Sequence, residues 1–220
     1  MFKQALAICK KDFNSEIRTR YAVNALLMFI IVVISVIKFS LGEDKLSAEM
    51  NSGLLWIIIF FATSNGLSRV FVSEEERGTS LVLKLSSRAG AVFLGKLIFN
   101  TILTFIINFL IIFLYIIITG LDIKNLALFS LTIGLGNLGL SAVMTIIAAL
   151  ISKASSKGTL YPVLSFPLLL PLLLAAISAT TLTIEGAPMG AIAGELQMIA
   201  SYTIVVITAS FLLFELVWHD

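Results

Sequence analysis

Residues able to do chemistry are few in this chain. Gly90, Gly95 and Lys96 stand at the spacing of a phosphate-binding loop, in Gly90-Ala91-Val92-Phe93-Leu94-Gly95-Lys96-Leu97. In such a loop a Ser or Thr after the lysine holds magnesium, and a strand precedes the glycines. Here Leu97 takes the hydroxyl's place and the segment opens an apolar helix, so the chain is not expected to bind ATP itself. His219 is the single histidine and Cys9 the single cysteine, which excludes a histidine zinc cluster, an internal disulfide and a Cys-x-x-Cys-His haem attachment motif. His219, in Trp218-His219-Asp220, reads as a solvated end and not as a haem ligand. No catalytic residue, metal site or directly bound cofactor is expected.

The remaining chemistry is the charge between Ser73 and Lys96. Glu74, Glu75, Glu76 and Arg77 precede Gly78-Thr79-Ser80, and a Leu-rich turn, Leu81-Val-Leu-Lys-Leu85, follows. A charge at the bilayer centre costs roughly 2.5–3.5 kcal/mol on insertion scales, so this stretch must face water. Leu81 and Leu85 with Lys84 and Arg88 opposite predict a short amphipathic helix along the membrane surface, a handle for a partner protein.

The elements that must carry this handle are apolar. The chain is 59% hydrophobic and 13% charged over 220 residues, against about 25% charged for soluble domains. A net charge of +2 with scattered basic residues offers no footprint for nucleic acid. The class is an all-α integral membrane protein, one permease domain over residues 1–220. Phe2, Leu6, Cys9, Phe13 and Ile17 recur at helical steps, predicting an amphipathic interfacial helix over 2–20, retained and not cleaved as a signal peptide. Six spans are expected, at about 21–41, 53–72, 91–119, 126–151, 160–182 and 196–218. With the N-terminus inside, twelve Lys and Arg fall on the inner side and three, Lys38, Lys45 and Lys124, outside, which places both termini and the Ser73–Gly90 loop in the cytoplasm. Tyr21, Trp56, Tyr115, Tyr161 and Trp218 lie near span ends, where aromatic rings favour the interface.

Polar residues inside the spans follow helical steps. Ser130, Gly134, Asn137, Ser141, Thr145 and Ala148 share one face of the fourth span, and Asn100, Thr104 and Asn108 one face of the third. Small and weakly polar residues permit close helix approach and interhelical hydrogen bonds, so these are read as packing seams, with a substrate pathway as the alternative. Pro162, Pro167 and Pro171 remove backbone donors from the fifth span and predict a kinked helix or a late start. The stretch 172–195, broken by Gly186, Pro188, Gly190 and Gly194, could dip into the outer leaflet as a re-entrant hairpin.

The ordered run of Glu74-Glu75-Glu76, Gly78-Thr79, a Leu-rich turn and Gly95-Lys96 opening the next span resembles the intracellular loop of ABC-2-type transporter permeases. Phe166-Pro-Leu-Leu-Leu-Pro-Leu-Leu and the Gly134–Gly139 segment narrow the resemblance to the haem exporter protein B family, membrane subunits of the cytochrome c maturation ABC complex. This chain carries Ser86-Ser87-Arg88 where that family has prolines. The resemblance implies a homodimeric, non-catalytic permease in a bacterial inner membrane. A separate cytoplasmic ATPase would use ATP and Mg, docking on Glu74, Glu75, Glu76, Arg77, Gly78, Thr79, Leu81 and Leu85. It also implies other cytochrome c maturation membrane proteins as partners, haem handled by the complex, and ATP-driven release of a haem-loaded chaperone or haem export. The alternatives are an ABC-2 permease for a lipid, glycan or drug, and an ATPase-independent scaffold.

Overall fold

A computed structural model describes residues 1–17, 20–41, 46–67, 71, 74, 78–152 and 157–219; at 16, 17, 20–23, 41, 80, 81, 157–160 and 219 it describes the backbone alone. Among the described residues all regular structure is helical. In chain order the helices are α1 (Phe2–Ile17), α2 (Arg20–Leu41), α3 (Ala48–Leu67), α4 (Ser80–Ser86), α5 (Ala89–Thr119), α6 (Leu126–Ile151), α7 (Lys157–Glu185) and α8 (Met189–His219). Among the described residues five stretches are long and apolar enough to cross a membrane: Ala48–Leu67, Ala89–Thr119, Leu126–Ile151, Tyr161–Glu185 and Met189–Trp218. Helix α2 adds a shorter apolar stretch, Asn24–Ser40.

The helices end where backbone chemistry ends them. Gly120 closes α5 in the left-handed region at φ 70°, donating its N–H to Ile116 O at 2.9 Å. Asn125 caps α6, its side chain accepting from the Leu128 N–H at 3.2 Å. Gly186, at φ 84°, ends α7, and the Ala187 N–H returns to Leu182 O at 2.9 Å. Both glycines take a conformation that a Cβ disfavours. Helix α8 starts directly afterwards, so 172–195 is a helix end, a tight turn and a helix start, and the re-entrant hairpin is absent. The same turn makes α7 and α8 longer than the sequence suggested. At 31 residues α5 and α8 are each about 46 Å long, well beyond a hydrocarbon core of about 30 Å.

Helix α6 is the centre of the bundle, packed by α3, α5, α7 and α8, and every residue from 139 to 149 is buried. Small side chains make this possible. A Cβ on Gly136 would stand 2.4 Å from Trp56 Cη2, and one on Gly139 would stand 2.7 Å from Thr203 Oγ1 and 2.9 Å from Leu172 Cδ1. The Trp56 indole pressed against Gly136 donates its N–H to Thr180 Oγ1 at 2.9 Å, joining α3, α6 and α7. Tyr115 donates to Asn51 Oδ1 at 3.1 Å and Tyr161 to Met144 O at 2.9 Å. Trp56, Tyr115 and Tyr161 are thus buried within the bundle, where each polar tip finds a partner.

The three prolines lie inside α7, which runs through them unbroken. Near them side-chain hydroxyls bond to backbone carbonyls: Ser165 Oγ donates to Tyr161 O at 2.7 Å, and the Tyr202 hydroxyl donates to Leu168 O from α8. Pro167 and Pro171 are exposed on the outer face of the helix.

Candidate coupling site

Lys96 is 1% exposed on the second turn of α5 and is one of four charges that meet there. Its Nζ lies 3.0 Å from Asp12 Oδ2 on α1 and 3.1 Å from Glu74 Oε1. Lys11 pairs with Asp12 at 3.2 Å and also with Glu74. Two ammonium groups thus face two carboxylates, with Lys11 at the wet rim and the other three buried. Among the described residues Asp12 Oδ2 has no aligned hydrogen bond, so its tie to Lys96 is Coulombic. The Phe71 ring lies 5.3 Å from Lys96 Nζ, a cation–π contact that closes the floor.

Glycine makes this meeting possible. A Cβ on Gly95 would stand 2.7 Å from Ala5 O and 2.9 Å from Ile8 Cβ, so α1 lies directly on the α5 backbone. Ala5, Ile8 and Asp12 form the buried side of α1, at helical steps. Phe2, Leu6 and Phe13, the apolar stripe read from the sequence, lie on its outer side at 70%, 56% and 40% exposure.

Glu74 also organises the segment that leads into α4. Its backbone carbonyl accepts the Thr79 N–H at 2.9 Å, and its carboxylate accepts the Thr79 hydroxyl at 2.6 Å. Between them Gly78 turns the chain at φ 66°, a left-handed conformation suited to glycine. Thr79 in turn starts α4, its carbonyl accepting the Leu83 N–H at 3.1 Å. Glu74, Gly78 and Thr79 are therefore tied together where α4 begins. Burial alone would raise the Glu74 carboxyl, but Lys96, Lys11 and the Thr79 hydroxyl outweigh it and hold the pKa at about 2. Lys11 is shifted upward: burial opposes its charge, and the hydrogen bond to Glu74 with the Asp12 and Glu74 charges overcomes it.

Above this base α4 presents an apolar surface. Leu83 is buried, while Val82 and Leu85, three positions apart on one face, are 64% and 82% exposed.

A family model described as CcmB protein matches residues 3–214. The chain belongs to the CcmB family. It is 27% identical over 184 residues to heme exporter protein B of Pseudomonas aeruginosa, covering 83% of this chain and 81% of that protein. It is 28% identical over 199 residues to heme exporter protein B of Rhodobacter capsulatus, covering 90% of each. With its apolar helices, this CcmB-family chain is a multi-pass membrane protein.

Of the residues singled out in the sequence for the loop, Glu74 turns inward, because Lys96, Lys11 and Thr79 meet its charge within the chain. Gly78 and Thr79 form the turn, and Leu85 is on the outer face of α4. Glu75, Glu76, Arg77 and the Leu81 side chain lie outside the described residues. Lys11 and Asp12 escaped that reading, as did the ion pairs of Lys96, which entered it only in the Gly95-Lys96 step, and Val82, which the three-residue spacing to Leu85 could have flagged. The phosphate-loop look-alike has its physical reason here: Gly95 seats α1, and Lys96 is held by two carboxylates.

Polar side chains meet between α5 and α6. Asn100 Nδ2 donates to Thr145 Oγ1 at 2.7 Å, Thr101 and Ser141 hydroxyls meet at 2.9 Å, and Asn108 Nδ2 donates to Asn137 Oδ1 at 2.8 Å. Thr104 donates to Asn100 O at 2.6 Å. Gly134 and Ser130 do not join them: nothing lies within 4 Å of a Cβ on Gly134, and Ser130 is exposed. Close approach belongs to Gly136 and Gly139 instead, which face α3, α7 and α8.

Proposed function

We propose that this chain is the permease subunit of an ABC transporter acting in c-type cytochrome biogenesis. Helix α2 would be the first of six spans, α1 an interfacial helix with Phe2, Leu6 and Phe13 toward lipid, and α4 the coupling helix. Both termini and α4 would face the cytoplasm of a bacterial inner membrane, as the excess of Lys and Arg on that side suggests. A second copy of the chain would complete the membrane part, beside other cytochrome c maturation proteins. ATP and Mg would be used by a separate cytoplasmic ATPase, and haem would be handled by the complex.

The observation that carries this reading is the exposed Val82–Leu85 face of α4 on a base held by buried charges. An ATPase that closes on nucleotide must push on something that does not yield. Here the push would pass from α4 through the Thr79–Glu74 turn to Lys96 on α5 and Asp12 on α1. Glu74 thus acts within the chain, and contact with the ATPase would fall to Val82, Leu85 and the neighbouring Glu75, Glu76, Arg77 and Leu81. The deciding experiment is deletion of the gene with and without complementation. Loss of covalent haem attachment to c-type cytochromes, restored by the wild-type chain, is expected; normal attachment in the deletion strain would overturn the reading.

A further inference from the structure

Helix α7 carries two backbone acceptors that its own geometry leaves unmet. Pro167 and Pro171 lie inside the helix and have no N–H, so the carbonyls four positions earlier, on Val163 and Pro167, lose their α-helical donor. The hydroxyls nearby are spent on other carbonyls: Ser165 bonds to Tyr161 O and Pro162 O, and Tyr202 to Leu168 O. Among the described residues no side chain donates to Val163 O or Pro167 O. Val163 is 63% exposed and Pro167 is exposed with it, four positions apart on one face. Both lie in the apolar stretch Tyr161–Glu185, where acyl chains carry no donor and an unmet carbonyl is costly.

Helix α8 holds the complement. Gln197 and Ser201, four positions apart, are exposed, and neither side chain has a hydrogen-bond partner among the described residues. On the same side nothing lies within 4 Å of where a Cβ on Gly194 would stand, which leaves room for another helix to come close. Ser201 stands beside Tyr202, and Pro167 beside Leu168, whose carbonyl Tyr202 bonds, so this donor and this acceptor are at one level of the bundle. Both α7 and α8 pack on α6 and on each other, and their exposed sides form one outer surface turned away from α6.

We propose that this outer surface of α7 and α8 takes a second copy of the chain, related to the first by a two-fold axis along the membrane normal. Such an axis keeps every residue at its own level and lays α7 of each copy against α8 of the other. Ser201 then donates to the partner's Pro167 carbonyl, and the same bond forms a second time by symmetry. Val163 O, one turn along α7, falls within the same contact. Other coverings lack this complement: α7 against its own copy sets acceptor against acceptor, and acyl chains bring no donor. The second copy is the one in the function proposed above, on which this placement rests.

The test uses the full-length chain with Cys9→Ser, in two differently tagged copies co-expressed in membranes. Val163→Cys in one copy and Val205→Cys in the other should be joined by an oxidant, since both positions are exposed on the facing helices. Ile106→Cys, exposed on α5, should join with neither. Ser201→Ala should weaken dimerisation in lipid vesicles about three- to tenfold, for two lost interhelical bonds, and Ser201→Thr should keep it. Pro171→Ala returns a donor to Pro167 O, so in that background Ser201→Ala should have little further effect, which separates a bond to this carbonyl from packing at large. A dimer that persists by mass without the Val163–Val205 link, or that links Val163→Cys to Val32→Cys on α2 instead, would overturn this surface and leave the second copy standing. A chain that is monomeric throughout would overturn both. An equal effect of Ser201→Ala with and without Pro171 would overturn the bond on which the placement depends.

Discussion

Lys96 Nζ lies 3.1 Å from Glu74 Oε1, and the two stand 22 positions apart in the chain with the whole of α4 between them. This pair ties Glu74 to α5, and Asp12 ties the same ammonium to α1. Removing one partner of a buried ion pair leaves an uncompensated charge, at a cost of about 3–5 kcal/mol. Lys96→Met should therefore lower the stability of the purified protein by about that much in thermal or denaturant unfolding. Adding Asp12→Asn and Glu74→Gln removes the orphaned charges and should restore most of the loss. A triple variant no more stable than the single one would show that the cluster is not bound by charge.

The depressed Glu74 pKa makes a pH prediction. Its ordinary value is 4.5 and its value in the fold is about 2, so the folded state favours the charged form. The resulting stability is complete above 4.5 and fades as pH falls toward 2. Glu74→Gln should melt earlier than wild type at neutral pH, with the gap narrowing through that acid window. A gap that stays constant down to the lower limit would mean that Glu74 is not ionised in its pocket.

Gly136 and Gly134 differ by two positions and face different surroundings. A Cβ at Gly136 would enter the Trp56 ring, which is fixed by its bond to Thr180, whereas Gly134 has open space. Overpacking of this kind costs about 1–3 kcal/mol, so Gly136→Ala should lower the melting temperature while Gly134→Ala leaves it unchanged or raises it. Trp56→Phe added to Gly136→Ala should recover part of the clash though not the lost hydrogen bond. Equal effects of the two alanines would show that α3 does not approach α6 this closely.

The contrast between those glycines shows what the sequence could and could not reveal. Apolar length alone located α3, α5, α6, α7 and α8, because a helix of about 20 apolar residues has few other places to be. Helical steps of three and four put Asn137, Ser141 and Thr145 on one face and Asn100 and Asn108 on another, since they depend only on local geometry, but the contact between those two faces is tertiary and was not legible. They could not rank Gly134 against Gly136, because the difference is made by Trp56 on another helix. Lys96 was hidden for the same reason: its partners, Asp12 and Glu74, are remote in the chain, and its local context imitates a phosphate loop. In α1 the periodic apolar stripe was real, but the side that packs on α5 is the less conspicuous Ala5–Ile8–Asp12 line.

Topology can be read with thiol chemistry after Cys9→Ser removes the native cysteine. Asp122 and Glu185 lie at one end of the bundle and Ser86 at the other, all exposed. Asp122→Cys and Glu185→Cys should be labelled by an impermeant reagent added outside whole spheroplasts, and Ser86→Cys only after lysis. The reverse pattern would invert the orientation and remove α4 from reach of a cytoplasmic ATPase.

The coupling role rests finally on Val82 and Leu85. Both are exposed on α4, and among these three side chains Leu83 alone packs inward. At an interface such residues can act as anchors whose truncation costs about 2 kcal/mol or more, roughly a thirtyfold loss of affinity. Val82→Ala with Leu85→Ala should leave the protein inserted and its melting temperature near wild type, because neither side chain is buried, yet the ATPase should no longer co-purify. Glu74→Gln should behave oppositely, softening the base and lowering stability before it weakens docking. The two variants thus separate a contact surface from its support. Retention of the ATPase and of full cytochrome c maturation by the Val82–Leu85 double variant would mean that force enters this membrane protein somewhere other than α4.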